Sequence, residues 1–244
     1  ESAWLDTDVI YYRRDGIRLE SQLEHNPIEI DDVARELETI LSLNDRVTVV
    51  VHEDESATTY SEVEADIIER ILNEIDISPV TENDEEEGYT TGVVVPYNDQ
   101  VTLLRERLAD EVTVDTVEQF QGDQREVMIL SMTGGSPGHV TSQSEFLQNP
   151  HRLNVGASRM QRKVIILASR SLFEAVTPNG DTNAYDEQLL WKRMYQAMGG
   201  FSGGEEDTLE LSVYSDSVID EEAEVRIFNG WPEESIHEEI ENRL

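Results

Sequence analysis

The chain has 244 residues, of which 53 are acidic and 18 are Lys or Arg, so its formal net charge is −35. Its carboxylates repel one another at low salt, but at molar salt the Debye length falls to about 3 Å and this repulsion is screened. Because the acidic residues are spread along the whole chain, we favour a halophile's cytoplasmic protein over an acidic interaction protein. Absence of cysteine excludes disulfides and thiolate metal sites, the five histidines show no ligand spacing, and no run approaches the roughly 20 apolar residues that span a membrane.

Taken in chain order, apolar runs that alternate between strand and helix spacing predict an α/β fold. Continuous apolar strands separated by amphipathic helices are typical of a parallel sheet that helices cover on both faces. Ser61 is the predicted cap of the second helix, and Glu64 is expected to complete a capping box with it. Predicted strands are 9–12, 46–51, 92–96, 112–117, 127–132, 164–168, 209–214 and 223–228. Predicted helices are 31–43, one from 61 to about 75, 98–108, 149–160, 185–198 and one after Pro232.

A segment poor in acid and rich in arginine runs through the second half of the chain. No Asp or Glu occurs from Phe146 through Phe173. If residues 151–162 form a helix, Arg152, Arg159 and Lys163 fall near one face of it. A plain solvated face or buried core is the alternative, but the arginines favour binding of an anion such as ATP or a nucleic-acid backbone. The cations of this segment are Arg152, Arg159, Arg162, Lys163 and Arg170.

A glycine turn, Phe120-Gln121-Gly122, separates two predicted core strands. Glycine permits a close approach of the backbone to a phosphate or a ribose, and the amide of Gln121 could orient a water molecule. The same residues could also form a simple turn.

Three segments in order resemble the second motor domain of superfamily 1 helicases, in the branch of the Upf-type and Dna2-type enzymes. They are Gly92-Val-Val-Val-Pro-Tyr-Asn-Asp-Gln100, similar to motif IV; Val114-Asp-Thr-Val-Glu-Gln-Phe-Gln-Gly122, similar to motif V; and Arg152-Leu-Asn-Val-Gly-Ala-Ser-Arg159-Met-Gln-Arg162, similar to motif VI. The resemblance covers about residues 45–175. It implies a RecA-like parallel sheet flanked by helices.

For the nucleotide, the resemblance implies that Arg159 contacts the γ-phosphate of ATP and that Gln121 acts beside it as a catalytic residue. Gly122, Gln124 and Arg162 are the further nucleotide-binding candidates. The family usually has Glu at position 124, so Gln124 keeps hydrogen bonding but loses a charge. ATP with Mg²⁺ is the implied cofactor, held mostly by a preceding motor domain.

For the nucleic acid, the resemblance implies a hydroxyl contact from Thr116 to the phosphates of single-stranded DNA or RNA. Tyr97, Gln100 and Arg152 are the other candidates for this surface. DNA and RNA both stay open, as do DNA repair and RNA processing, and movement from 5′ to 3′ is a family inference.

The 244 residues contain no Gly-x-x-x-x-Gly-Lys-Ser/Thr phosphate loop. We therefore expect an ATP-dependent helicase as a whole protein, with this part inactive without an N-terminal phosphate-loop domain. A non-catalytic helicase-like binding or scaffold module is the alternative. The expected organisation is a lead-in segment 1–44, the motor domain 45–178, and a small acidic α+β extension 179–244 that could dock a protein partner.

Overall fold

The computed structural model describes residues 34–41, 46–78, 88–120, 124–149, 152–153, 159–175, 191–196, 198–200 and 208–229. These residues contain a seven-stranded sheet with helices on both faces. The strands are β1 (Val47–His52), β2 (Thr91–Val95), β3 (Thr113–Thr116), β4 (Arg125–Ser131), β5 (Met160–Ser169), β6 (Thr208–Glu210) and β7 (Glu224–Asn229). The helices are α1 (Glu62–Asn73), α2 (Asn98–Arg107), α3 (Pro137–Ser142), α4 (Ser144–Leu147) and α5 (Arg170–Glu174); residues 191–196 are also helical.

The sheet has the strand order β3-β2-β4-β5-β1-β7-β6. The first five strands in this order pair in parallel, whereas β7 runs antiparallel to β1 and β6 antiparallel to β7. β1 and β2 are buried along their whole length, as expected for central strands covered on both faces. The predicted RecA-like α/β class is confirmed.

Two apolar cores lie on the two faces of the sheet. On one face α1 and α2 pack against it, with Ile67 and Leu104 fully buried. On the other face α3, α4, α5 and the helical residues 191–196 cover it, with Phe173 and Trp191 fully buried. Loops at the strand ends are therefore held between rigid layers.

The start of α1 agrees with the prediction in one half only. Ser61 caps the helix, and its Oγ accepts a hydrogen bond from the backbone N–H of Glu64 at 3.1 Å. The Glu64 side chain does not return to Ser61, because the side chain of Gln100 accepts from the Ser61 N–H at 2.7 Å. The predicted capping box is therefore wrong, and Glu64 is buried elsewhere.

The predicted helix 149–160 and its basic face also need correction. Residues 152–153 are helical as predicted, but Arg159 lies in a turn, and Met160 already begins β5, four residues before the predicted strand. Lys163 is buried in this strand, where its Nζ donates to Thr48 Oγ1 at 3.0 Å. Arg152, Arg159 and Lys163 therefore do not share a helix face. Residues 154–158 lie outside the described part of the chain.

The strands predicted near the C-terminus occur with shifted bounds. The first is β6, which ends at Glu210 and is followed by a 3₁₀ turn, Leu211–Val213; the second is β7. The helix predicted for residues 31–43 is not seen, because the described residues 34–41 form turns.

Several predicted elements lie outside the described residues: the strand 9–12, residues 185–190 and the helix after Pro232. The domain bounds 1–44, 45–178 and 179–244 stay predictions. In the described part of the chain, no helix has the length and apolarity to cross a membrane.

Candidate nucleotide and nucleic-acid interfaces

The candidate residues separate onto two opposite edges of the parallel sheet. Gln124 and Arg159 come directly before β4 and β5, at the edge where these strands begin, which we call the amino edge. Thr116 ends β3 and Tyr97 follows β2, at the edge where the strands end, which we call the carboxyl edge. Gln121 and Gly122 lie outside the described residues.

At the amino edge, the pairing of β4 with β5 brings Gln124 and Arg159 together. The backbone N–H of Arg125 donates to the carbonyl oxygen of Arg159 at 2.9 Å, and Gln161 Nε2 donates to Gln124 Oε1 at 3.4 Å. The Nε of Arg159 is buried and has no hydrogen-bond partner. A buried donor without a partner costs free energy, so this guanidinium is suited to an incoming anion.

Arg162, the other cation predicted for the nucleotide, is already engaged at the same edge. Its Nε donates to Glu126 Oε1 at 2.7 Å, and its guanidinium lies 5.4 Å from the ring centre of Tyr89. Glu126 in turn accepts from the backbone N–H of Thr90 at 3.0 Å. A phosphate at Arg162 would therefore compete with a fixed carboxylate.

At the carboxyl edge, aromatic and basic side chains form a stack, which we call the carboxyl-edge stack: His139, Tyr97, Phe146 and Arg152. The Tyr97 hydroxyl is 3.0 Å from His139 Nε2, and the rings of Tyr97 and Phe146 are 5.3 Å apart between centres. The guanidinium of Arg152 lies 3.9 Å from the centre of the Phe146 ring. Aromatic and guanidinium planes of this kind are what single-stranded nucleic acids stack on.

Burial shifts the pKa values of Tyr97 and His139 in the stack, and one carboxylate pairs with Arg152. Burial raises the pKa of Tyr97 to about 12 against the opposing positive charge of Arg152, and burial lowers the pKa of His139. Arg152 Nη2 pairs with the half-exposed Glu118 at 2.6 Å, while its Nη1 is buried and has no hydrogen-bond partner. Glu118 thus already neutralises one end of the Arg152 guanidinium.

Thr116 and a shallow cavity complete this edge. Thr116 is 7% exposed, and its carbonyl oxygen accepts from the backbone N–H groups of Gln119 and Phe120, both at 3.0 Å, which closes the turn after β3. Beside it lies a shallow pocket, open to solvent and walled mainly by apolar side chains from the ends of β2 and β4. Arg152 and Phe146 belong to its wall.

Comparison with known proteins places the chain in a family. A family model described as an AAA domain matches residues 11–171. The chain belongs to this AAA domain family. The chain is also similar to several proteins that are named as helicases.

Three of these relatives come from an archaeon, a plant and a yeast. An uncharacterized ATP-dependent helicase of Methanocaldococcus jannaschii is 32% identical over 107 residues, 42% of this chain and 14% of that protein. A DNA replication ATP-dependent helicase/nuclease of Arabidopsis thaliana is 28% identical over 115 residues, 47% of this chain and 8% of that protein. The DNA polymerase alpha-associated DNA helicase A of Saccharomyces cerevisiae is 30% identical over 115 residues, 45% and 16% respectively. The chain thus covers less than a fifth of each relative.

Gln100 of this AAA domain does not fit its predicted contact with nucleic acid. It is fully buried in α2. Its Oε1 accepts from the backbone N–H of Ser61 at 2.7 Å, and its Nε2 donates to the carbonyl oxygen of Ser61 at 3.2 Å. Because both polar ends of the amide are used inside the protein, Gln100 joins α2 to the start of α1.

A buried polar network under the carboxyl edge was missed by the sequence analysis. It joins His52, Glu64, Ser131 and Thr133, all of them buried. One signal was available: Glu64 stands at i−3, i−4 and i−7 from Ile67, Ile68 and Ile71, on the apolar stripe of α1. A carboxylate on a buried helix face needs hydrogen-bond partners. The sequence analysis assigned the Glu64 side chain to a capping box and therefore did not look for these partners.

Proposed function

We propose that the chain is the second motor domain of an ATP-dependent helicase of the Upf-type and Dna2-type branch, with ATP between its amino edge and a preceding motor domain. The observation that carries this proposal is the buried, unpartnered Nε of Arg159 beside Gln124. A fixed guanidinium with a free donor is what a developing phosphoryl charge requires.

Arg159 supplies the arginine finger in this proposal. Such a guanidinium stabilises the charge spread over the transferring phosphoryl and contributes roughly 10³–10⁵ in rate. Bound ATP would supply the phosphoryl group, and Mg²⁺ would neutralise the negative charge of its oxygens. Among the described residues, no group of three His, Asp or Glu side chains is placed to hold a metal ion. Because the 244 residues contain no phosphate-loop motif, this proposal assigns that loop and Mg²⁺ to a preceding motor domain.

Single-stranded DNA or RNA binds at the carboxyl edge in this proposal. Tyr97 and Arg152 contribute from the carboxyl-edge stack, and Thr116 contributes a hydroxyl. Gln100 is not part of this proposed surface, because both ends of its side-chain amide are hydrogen-bonded to the backbone of Ser61. Residues 179–244 remain a proposed docking segment for a protein partner.

The experiment measures ATP hydrolysis stimulated by a single strand. The 244-residue chain alone is expected to be inactive, and the chain joined to the motor domain that precedes it in its gene is expected to be active. In the joined protein, Arg159→Ala should remove the activity, while Arg105→Ala should leave it unchanged, because Arg105 pairs with Asp115 away from the amino edge. Normal turnover in Arg159→Ala would contradict the arginine finger.

A second function is favoured by the ion pairs. Arg162 and Arg152 are both neutralised by carboxylates of this chain, and Gln124 carries no charge. These features fit a helicase-like module that binds nucleic acid or a partner without hydrolysing ATP. Binding of a single strand by the joined protein, with no ATP hydrolysis at any salt concentration, would favour this function.

A further inference from the structure

Glu64 is a fully buried carboxylate beneath the carboxyl edge, and three residues lie within hydrogen-bond distance of its oxygens. His52 Nε2 lies 3.1 Å from its Oε1, and Ser131 Oγ donates to its Oε2 at 2.5 Å. The backbone N–H of Thr133 donates to both oxygens, at 3.1 and 3.0 Å. Burying an ionisable carboxyl group is costly, and these hydrogen bonds offset that cost, although His52 Nδ1 is buried without a hydrogen-bond partner.

The loop after β4 has a strained backbone at Thr133, the residue whose N–H donates to Glu64. Thr133 has a φ of 64°, in the left-handed region that a β-branched residue rarely adopts. Such a conformation persists only when its surroundings hold it. The two hydrogen bonds from Thr133 N–H to Glu64 supply that hold, and Ser131 Oγ lies 3.2 Å from Thr133 Oγ1 on the other side.

The same loop leads directly to the carboxyl-edge stack. The backbone N–H groups of Gly135 and Ser136 both donate to the carbonyl oxygen of Ala57, at 3.0 and 2.8 Å. α3 begins at the next residue and carries His139, whose Nε2 meets the Tyr97 hydroxyl. Six residues of chain, from Thr133 N–H at Glu64 to His139 at the stack, therefore connect the two sites.

We propose that Glu64 is a positioning residue for nucleic-acid binding. It fixes residues 132–136, and through α3 it sets the position of His139 against Tyr97, so that the carboxyl-edge stack is formed before a single strand arrives. This inference rests on the proposed function, because it assumes that the stack meets nucleic acid. Its effect reaches the strand through preorganisation, which lowers the cost of ordering at binding.

The first test compares Glu64→Gln with Asp66→Asn. Asp66 is a suitable control because it also lies on α1 and accepts hydrogen bonds from several partners, among them Ser215 Oγ at 2.6 Å, but it is not joined to the 132–136 loop. Binding to fluorescein-labelled oligothymidylate is measured by anisotropy. Glu64→Gln should weaken binding roughly tenfold per folded molecule, whereas Asp66→Asn should not.

Hydrogen exchange separates positioning from general loss of stability. In Glu64→Gln, amides of 132–142 should exchange faster while those of β2 and β5 keep their protection. Uniformly faster exchange would mean a merely structural role. Should Glu64→Gln not fold, Ser131→Ala removes one donor to the same carboxylate and should produce the same local change to a smaller extent.

A double variant tests the strain directly. Glycine adopts a positive φ freely, so Glu64→Gln with Thr133→Gly should regain much of the lost stability. Binding should stay weak, because the loop is relaxed without being fixed. Recovery of binding together with stability would overturn the inference. If the unaltered chain does not bind the oligonucleotide, the proposed nucleic-acid surface fails; if it binds and Glu64→Gln binds equally, only the role of Glu64 fails.

Discussion

The backbone N–H of Arg125 donates to the carbonyl oxygen of Arg159 at 2.9 Å, so the first residue of β4 fixes the turn that precedes β5. The Arg125 side chain is itself anchored, with its Nη2 donating to Thr113 Oγ1 at 3.0 Å. The backbone of Arg159 is therefore held by the sheet while its side-chain Nε has no hydrogen-bond partner. A side chain that binds a ligand is expected to have a fixed backbone and a donor without a protein partner, and Arg159 has both.

Arg159→Lys should separate charge from shape. Lysine keeps the positive charge but loses the planar fork that matches phosphate oxygens, so ATP hydrolysis by the joined protein should fall about 100-fold or more. Stability of the isolated chain should fall by no more than ~0.5 kcal/mol, because the substitution removes no hydrogen bond made by Arg159 Nε. Steady-state hydrolysis and urea unfolding measure the two effects, and near-normal hydrolysis in the lysine variant would argue against a bidentate contact.

Gln100→Ala should reduce stability without changing nucleic-acid affinity of the folded chain. The substitution leaves the buried N–H and C=O of Ser61 without their partners, and we expect a loss of about 2–4 kcal/mol in the free energy of unfolding. Urea unfolding measures the loss. Thr102→Ala serves as a control on the same helix, because its hydroxyl bonds only to the carbonyl oxygen of Asn98 at an exposed position. A specific loss of binding in Gln100→Ala would restore its predicted contact.

The core of the fold could be predicted from the sequence because its strands are continuous apolar runs. β1, β2 and β4 lie within two residues of the predicted bounds. β5 begins earlier than predicted because its first residues, Met160 to Lys163, are mostly polar but pair with β4 at the amino edge. The hydrophobic pattern of the sequence does not reveal these four residues, because they are part of the strand through backbone hydrogen bonds and not through buried apolar side chains.

The sites were harder to predict because they depend on contacts between distant elements. Arg152 meets Glu118 across 34 positions and Gln100 meets Ser61 across 39, and neither pair has a spacing pattern. The motif resemblance supplied the candidates Arg159, Tyr97 and Arg152. Which of them is buried, paired or open follows only from the three-dimensional register.

Stability should depend on the protonation of His139. Burial lowers its pKa below the ordinary value of 6.5, so the unfolded chain takes up the proton first as the pH falls. The contribution of neutral His139 is thus complete above about pH 6.5 and is lost as the pH drops through the lowered folded pKa. Denaturant unfolding at about pH 7.5 and about pH 5.5 should show a smaller decrease for His139→Gln than for the unaltered chain. Parallel decreases in both proteins would rule out this assignment.

Salt should stabilise the chain strongly. With a net charge of −35, repulsion between carboxylates opposes the compact state, and raising KCl from about 0.1 M to about 2 M shortens the Debye length from about 10 Å to below 3 Å. We expect the free energy of unfolding to rise by about 2 kcal/mol or more. Sorbitol at matched osmolarity is the control for excluded-solute effects. A flat or falling dependence on KCl would contradict the halophile interpretation.

Two glycines near the carboxyl edge should respond oppositely to alanine. A Cβ at Gly135 would lie 2.4 Å from the carbonyl oxygen of Asp54, which also accepts from Ser169 Oγ at 2.9 Å. Gly135→Ala must therefore push apart the loops that follow β1 and β4, and we expect a loss of about 1–3 kcal/mol in unfolding free energy. A Cβ at Gly138 would meet no heavy atom within 4 Å, and this residue lies in α3. Gly138→Ala should thus stabilise the chain by about 0.5–1 kcal/mol through helix propensity. Urea unfolding of both variants measures this contrast, and similar values for the two would mean that the loops at this edge are not closely packed.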